Sequence, residues 1–85
     1  MSKYFVNSEV NIERQEGGGI ISFDGKIFVL GDIELEIWEC VEQNLSEEDI
    51  VQKMLSLYTG DEQEIKNNIL NFLNDMCNKR LIHKE

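Results

Sequence analysis

Gly19-Ile20-Ile21-Ser22-Phe23-Asp24-Gly25-Lys26-Ile27-Phe28-Val29-Leu30-Gly31-Asp32 is where the chain changes from β to α patterning. Two runs rich in β-branched and aromatic residues, 19–23 and 26–30, flank Asp24-Gly25 directly. That placement predicts a two-residue type I′ hairpin, because the turn needs positive φ at both central residues and Asp-Gly supplies it cheaply. Lys26-Ile27-Phe28-Val29-Leu30 is apolar on both faces of the strand it predicts, so both faces are expected to be covered. Gly31-Asp32 then ends the strand and supplies the N-cap of a helix over 33–43.

Upstream, residues 8–15 alternate loosely, with Val10 and Ile12 to one side and Glu9, Asn11 and Glu13 to the other, which predicts a first strand. Gly17-Gly18-Gly19 lacks the Lys and Ser/Thr of a phosphate loop and opens no helix, so it reads as a flexible connection between strands. Downstream, Ile33, Ile37, Trp38 and Val41 form the buried stripe of the first helix. Ser46 caps the second, with Glu47, Glu48 and Asp49 in the first turn, where the helix dipole favours anions. Its apolar positions are Ile50, Val51, Met54, Leu55, Leu57 and Tyr58. Asp61 and Glu64 have the spacing of a capping box at the start of a third helix that runs to Lys79. The order predicts an α+β domain, a three-stranded antiparallel sheet followed by three helices on one face. One domain fills the 85 residues, with its core over about 8–82 and tails at 1–7 and 83–85.

The third helix carries more apolar surface than one stripe requires. Ile65, Ile69, Phe72 and Met76 fall on one line, and Leu70, Leu73 and Cys77 form a second beside it. A central helix with two layers against it is the simpler account. A groove flanked by part of the second line is the sharper one.

Eight basic against seventeen acidic residues give a formal net charge of -9. Such a surface repels phosphate backbones and anionic lipid, whose affinity for proteins comes largely from Lys and Arg displacing counterions. Neither nucleic acid nor membrane is therefore expected as a partner. No apolar run approaches the roughly 20 residues needed to span a bilayer, and the first seven residues lack the pattern of a signal peptide. A cytoplasmic location is expected, with Cys40 and Cys77 as reduced thiols.

Three passages in this order resemble PqqD and its relatives, the precursor-recognition elements of pathways that make ribosomally synthesised, post-translationally modified peptides. The first is Gly25-Lys26-Ile27-Phe28-Val29-Leu30-Gly31-Asp32 leading to Ile37-Trp38. The second is Ser46-Glu47-Glu48-Asp49-Ile50-Val51 with Leu55 and Tyr58. The third is Asn71-Phe72-Leu73-Asn74-Asp75-Met76 running into Lys79-Arg80-Leu81-Ile82. Gly31, Glu34 and Arg80 depart from the family pattern, Arg80 standing where a Gly often precedes the last Leu. The resemblance covers roughly residues 8–82 and implies a winged-helix-like fold. It implies a domain that binds the leader segment of a precursor peptide as a strand added to its third strand, beside the third helix. The precursor is then presented to a separate modifying enzyme, often a radical S-adenosylmethionine enzyme, or a protease or cyclase in lasso-peptide pathways. No catalysis and no cofactor are implied.

The residues support that mechanism in their own right. Lys26–Leu30 is the last strand before the helices and so can form a sheet edge, whose unpaired N–H and C=O groups can take up a peptide. Phe28 and Leu30 are assigned to the core side, Ile27 and Val29 to the opposite face or the cleft rim. On the third helix, Ile69, Leu70, Leu73 and Cys77 are the expected apolar wall, with Lys66 as a charged rim contact. Trp38, Leu55 and Phe72 are assigned to the core.

His83 is the sole histidine and falls in the expected tail, so neither a tetrahedral zinc set nor a Cys/His catalytic pair can be assembled from the usual ligands. The carboxylates are mostly helix-face or first-turn residues and are explained by solvation and dipole effects. A winged-helix DNA-binding protein has a compatible list of elements, but its recognition helix needs clustered Lys and Arg. The helices here begin with acidic residues instead. An unrelated protein–protein adaptor or oligomerisation module using the same edge stays open, as does a homodimer formed by pairing two uncapped edges.

Overall fold

The computed structural model describes residues 2–85; Met1, part of the expected N-terminal tail, lies outside them. The chain runs β1 (Tyr4–Val6), β2 (Asn11–Gln15), β3 (Gly18–Phe23), β4 (Lys26–Gly31), α1 (Asp32–Glu42), α2 (Glu47–Leu57), α3 (Glu62–Asn78) and β5 (Ile82–Lys84). β2, β3 and β4 form an antiparallel sheet in that order, and the three helices follow it. This is the α+β architecture expected from the sequence.

The hairpin forms where Asp24-Gly25 predicts it. Both residues have positive φ, 52° and 72°, and Phe23 pairs with Lys26 across the turn. The glycine run is more ordered than a flexible connection. Gly18 (φ +150°) pairs with Gly31, and a Cβ on it would lie 1.9 Å from the Leu30 carbonyl oxygen. Gly18 is therefore required by the close approach of β3 and β4.

Ile12, Ile21 and Phe28 form one cross-strand row on the inner face of the sheet, and Leu30, paired with Gly19, lies on the same face. α1 packs against this face of β3 and β4, burying Ile21, Leu30, Ile37, Trp38 and Val41. Leu30, 2 % exposed, contributes about 1.5–3 kcal/mol by leaving water. α2 and α3 close the core with Ile50, Met54, Leu73 and Met76.

The caps follow the sequence with two adjustments. Ser46 Oγ accepts from the Asp49 N–H, as expected. At α1 the N-cap is Gly31, not Asp32, and its N–H donates to Glu34 Oε1 at 2.9 Å. Glu34 thus does local capping work. Asp61 accepts from the Gln63 N–H at 2.9 Å, two residues on, in place of a reciprocal box with Glu64.

The expected tails are corrected by the structure. β1 pairs antiparallel with β5, Tyr4 opposite Lys84 and Val6 opposite Ile82, so the ends of the described chain clasp one another. Tyr4 and Ile82 are buried, and the Tyr4 hydroxyl donates to Glu47 Oε1 at 2.6 Å. His83 is not frayed: its ring stacks on Phe5 at 5.5 Å between centroids. The apolar residues at 4–6 and 81–82 need cover that neither end finds alone, and pairing supplies it.

Candidate functional site

β4 is paired on one side only. Lys26 closes a two-residue hairpin, so it exchanges both hydrogen bonds with Phe23, and by alternation Phe28 and Leu30 also point their N–H and C=O groups at β3. Ile27 and Val29 point theirs outward, to the unpaired edge, as does Gly31, whose N–H is taken by Glu34. The side chains follow the opposite logic. Phe28 and Leu30 face the core, while Ile27 and Val29 lie on the outer face of the sheet, 70 % and 75 % exposed. The outer face of the sheet is therefore uncovered at this strand, contrary to the expectation that both faces are buried.

Along the vacant edge runs a cleft between β4 and α3. α3 packs on α2 and β5 and not closely on β4, which leaves the gap open. One end is a depression of about 400 Å³ lined by Phe23, Asp24, Lys26, Phe28, Asn78, Lys79 and Arg80. The other, about 370 Å³, lies past the end of β4, between the start of α1, the end of α2 and α3; it is apolar and is lined chiefly by Ile33, Ile37, Tyr58, Ile65, Ile69 and Phe72. Lys79 crosses between the walls, its ammonium 5.3 Å from the centre of the Phe28 ring.

Of the residues expected to bind peptide, the structure brings Lys26, Ile27, Phe28, Val29, Leu30 and Ile69 to the edge or the cleft. Leu73 is fully buried core. Lys66, Leu70 and Cys77 belong to the far flank of α3. Lys66 lies with Glu47, Glu48 and Asp49 at the start of α2, and Cys77 is near enough to Lys84 of β5 to feel its charge. The second apolar line of α3 lies towards α2 and the β1–β5 clasp. The cleft flank is the line Asn68, Phe72 and Lys79, spaced i, i+4 and i+11 on one side of the helix.

Sequence reasoning assigned Phe72 to the core and Ile33 to the buried stripe, yet Phe72 is half-buried and Ile33 is 52 % exposed, both in the apolar end. Asn68 and Lys79 gave no apolar signal, so hydrophobic periodicity could not find them. Arg80 gave a different signal, a non-glycine residue just past a helix end.

Cys40 and Cys77 are free, and burial pushes both thiols up from the ordinary value. Among the described residues no group of three His, Cys, Asp or Glu side chains is placed to hold a metal ion. Among them, too, no helix is long and apolar enough to cross a membrane.

A three-stranded antiparallel sheet with one free edge, followed by three helices, defines a small α+β domain of the winged-helix-like class. The sequence profile described as Coenzyme PQQ synthesis protein D (PqqD) matches residues 10–82, and the chain belongs to the PqqD family. The fold is shared with three solved structures. TbiB1 in complex with the TbiA(beta) leader peptide superposes with a TM-score of 0.85 at 21 % identity, covering 92 % of this chain and 93 % of that one. A lasso peptide synthetase B1 complexed with the leader peptide gives 0.81 at 16 %, covering 93 % and 95 %. The PqqD truncation of Methylobacterium extorquens PqqCD, described as a stand-alone recognition element for ribosomally synthesised and post-translationally modified peptides, gives 0.76 at 18 %, covering 95 % and 88 %. No curated protein sequence matches the chain.

Proposed function

We propose that this domain captures the leader segment of a ribosomally made precursor peptide as a fourth strand on β4 and delivers it to a separate modifying enzyme. The observation that carries this reading is the unpaired outer edge of β4, a strand whose Lys26 and Phe28 line an open depression together with the end of α3. A guest strand there gains main-chain hydrogen bonds from groups that otherwise only water satisfies, and its alternate side chains reach the two ends of the cleft. Membership in the PqqD family supports the reading, as do two structural neighbours whose complexes contain leader peptides. The domain acts by binding and presentation and performs no chemistry. The receiving enzyme is a radical S-adenosylmethionine enzyme, or a protease or cyclase.

The test is a titration of the isotopically labelled domain with a synthetic leader peptide from the precursor encoded beside it. Amide shifts are expected at Ile27 and Val29 and along Asn68, Phe72 and Lys79, with a dissociation constant in the micromolar range or tighter. Absence of both heat and shifts overturns the reading.

The exposed apolar pair at the same edge favours one second reading, in which two copies pair through β4. Sedimentation of the free domain as a dimer that peptide does not dissociate would select it.

A further inference from the structure

The cleft is electrically uneven, and the unevenness specifies the guest. This inference rests on the peptide-binding reading above. Three of the eight basic residues of a chain with net charge -9, namely Lys26, Lys79 and Arg80, line one end, where Asp24 is the one acidic lining residue. Lys79 is engaged by Asp75 at 2.7 Å and by the Phe28 ring. Lys26 and Arg80 have no carboxylate within ion-pair distance among the described residues. The opposite end is walled mainly by aliphatic and aromatic side chains.

The backbone at Arg80 supplies a second, independent observation. Arg80 has φ +64° and ends α3 in a Schellman motif: its N–H donates to the Cys77 carbonyl, and the Leu81 N–H donates to that of Met76. α1 ends in the same motif, with Asn44 at φ +61°, its N–H on Val41 and the Leu45 N–H on Cys40. Asn is at ease in the left-handed region, whereas Arg carries a steric penalty that Gly would avoid. A strained position whose side chain lines a cleft points to a use for that side chain. Here the use is a second free cation beside Lys26.

We propose that Lys26 and Arg80 are specificity-determining residues and that the guest strand carries an Asp or Glu side chain at the end nearest the Asp24-Gly25 turn. A bulky apolar side chain of the same strand enters the other end. The six residues of β4 span about 20 Å, so the two recognised side chains sit about four to six residues apart. Every pair in the sheet is antiparallel. A guest that follows suit runs from the apolar end to the cationic end, its apolar residue preceding its acidic one.

A random 12-residue peptide display library panned against the full chain tests this. The wild-type domain is expected to enrich peptides with a bulky apolar residue followed about four to six positions later by Asp or Glu. The Lys26→Glu, Arg80→Glu double variant is expected to keep the apolar preference and lose or invert the acidic one. An enriched acidic peptide is expected to bind Arg80→Gly about threefold to fivefold more weakly, while the thermal midpoint of that variant rises by about 4–8 °C. Apolar enrichment without an acidic position, or an acidic preference unchanged in the double variant, overturns this inference and leaves the peptide-binding reading standing. A wild-type domain that enriches no peptide overturns both.

Discussion

Lys79 reaches from α3 to Phe28 on β4, its ammonium 5.3 Å from the ring centroid, while Asp75, one turn earlier, holds the same nitrogen at 2.7 Å. One side chain therefore ties the helical wall of the cleft to the strand with the free edge. A double-mutant cycle with Lys79→Met and Phe28→Leu, followed by urea denaturation, is expected to give a coupling of about 0.5–1 kcal/mol. A coupling of zero would mean that the walls are held apart by other contacts.

The direction of each backbone group along β4 gives the sharpest contrast. Val29 directs its N–H to the free edge, so Val29→Pro removes a donor that the folded monomer does not use. Its melting temperature is expected to stay within a few degrees of wild type while peptide affinity falls at least about fivefold. Phe28→Pro removes a donor used by β3 and is expected to cost about 3 kcal/mol or more. Equal destabilisation by the two variants would contradict the assigned hydrogen-bond parity.

Gly18 is irreplaceable for a reason its neighbour does not share. A methyl group on Gly18 meets the Leu30 carbonyl, whereas one on Gly17 meets nothing within 4 Å. Gly18→Ala is expected to destabilise the domain by about 2 kcal/mol or more. Gly17→Ala is expected to cost about 1 kcal/mol, from its positive φ alone. Chemical denaturation of the two variants side by side checks the order.

The clasp between the ends of the chain carries a pH signature. Burial, then the hydrogen bond to Glu47, pushes the Tyr4 hydroxyl well above the ordinary tyrosine value of about 10. Below that pH both folded and unfolded states hold the proton, and the contribution is fully present. Above it the unfolded chain releases the proton first, so stability falls as pH rises. Tyr4→Phe is expected to lose about 1.5–3 kcal/mol at neutral pH, the scale of a hydrogen bond to a charged group. It should also show a shallower decline above about pH 10. The part of the decline due to Cys40 and Cys77 should remain. An unchanged alkaline slope would show that Tyr4 ionises freely in the folded state.

Much of the fold was legible because local signals agreed with one another. Asp24-Gly25 named the turn and Ser46 the cap. The β1–β5 clasp was illegible, since three-residue strands carry no period and pair across 76 or more positions of sequence. Which flank of α3 lines the depressions was illegible as well. Two apolar lines of similar strength lie side by side, and periodicity alone does not say which one neighbours lying far away in sequence will cover.

The sequence by itself determined the succession from β2 to α3 and the hairpin turn, because each depends on propensities and spacings within a few residues. Only the tertiary structure decided which flank of α3 faces β4 and which cations gather at its end. Those choices follow from how α2 and the β1–β5 clasp occupy the other flank. Lys26 and Arg80, 54 positions apart in the chain, became neighbours of one cleft through packing that no local pattern encodes.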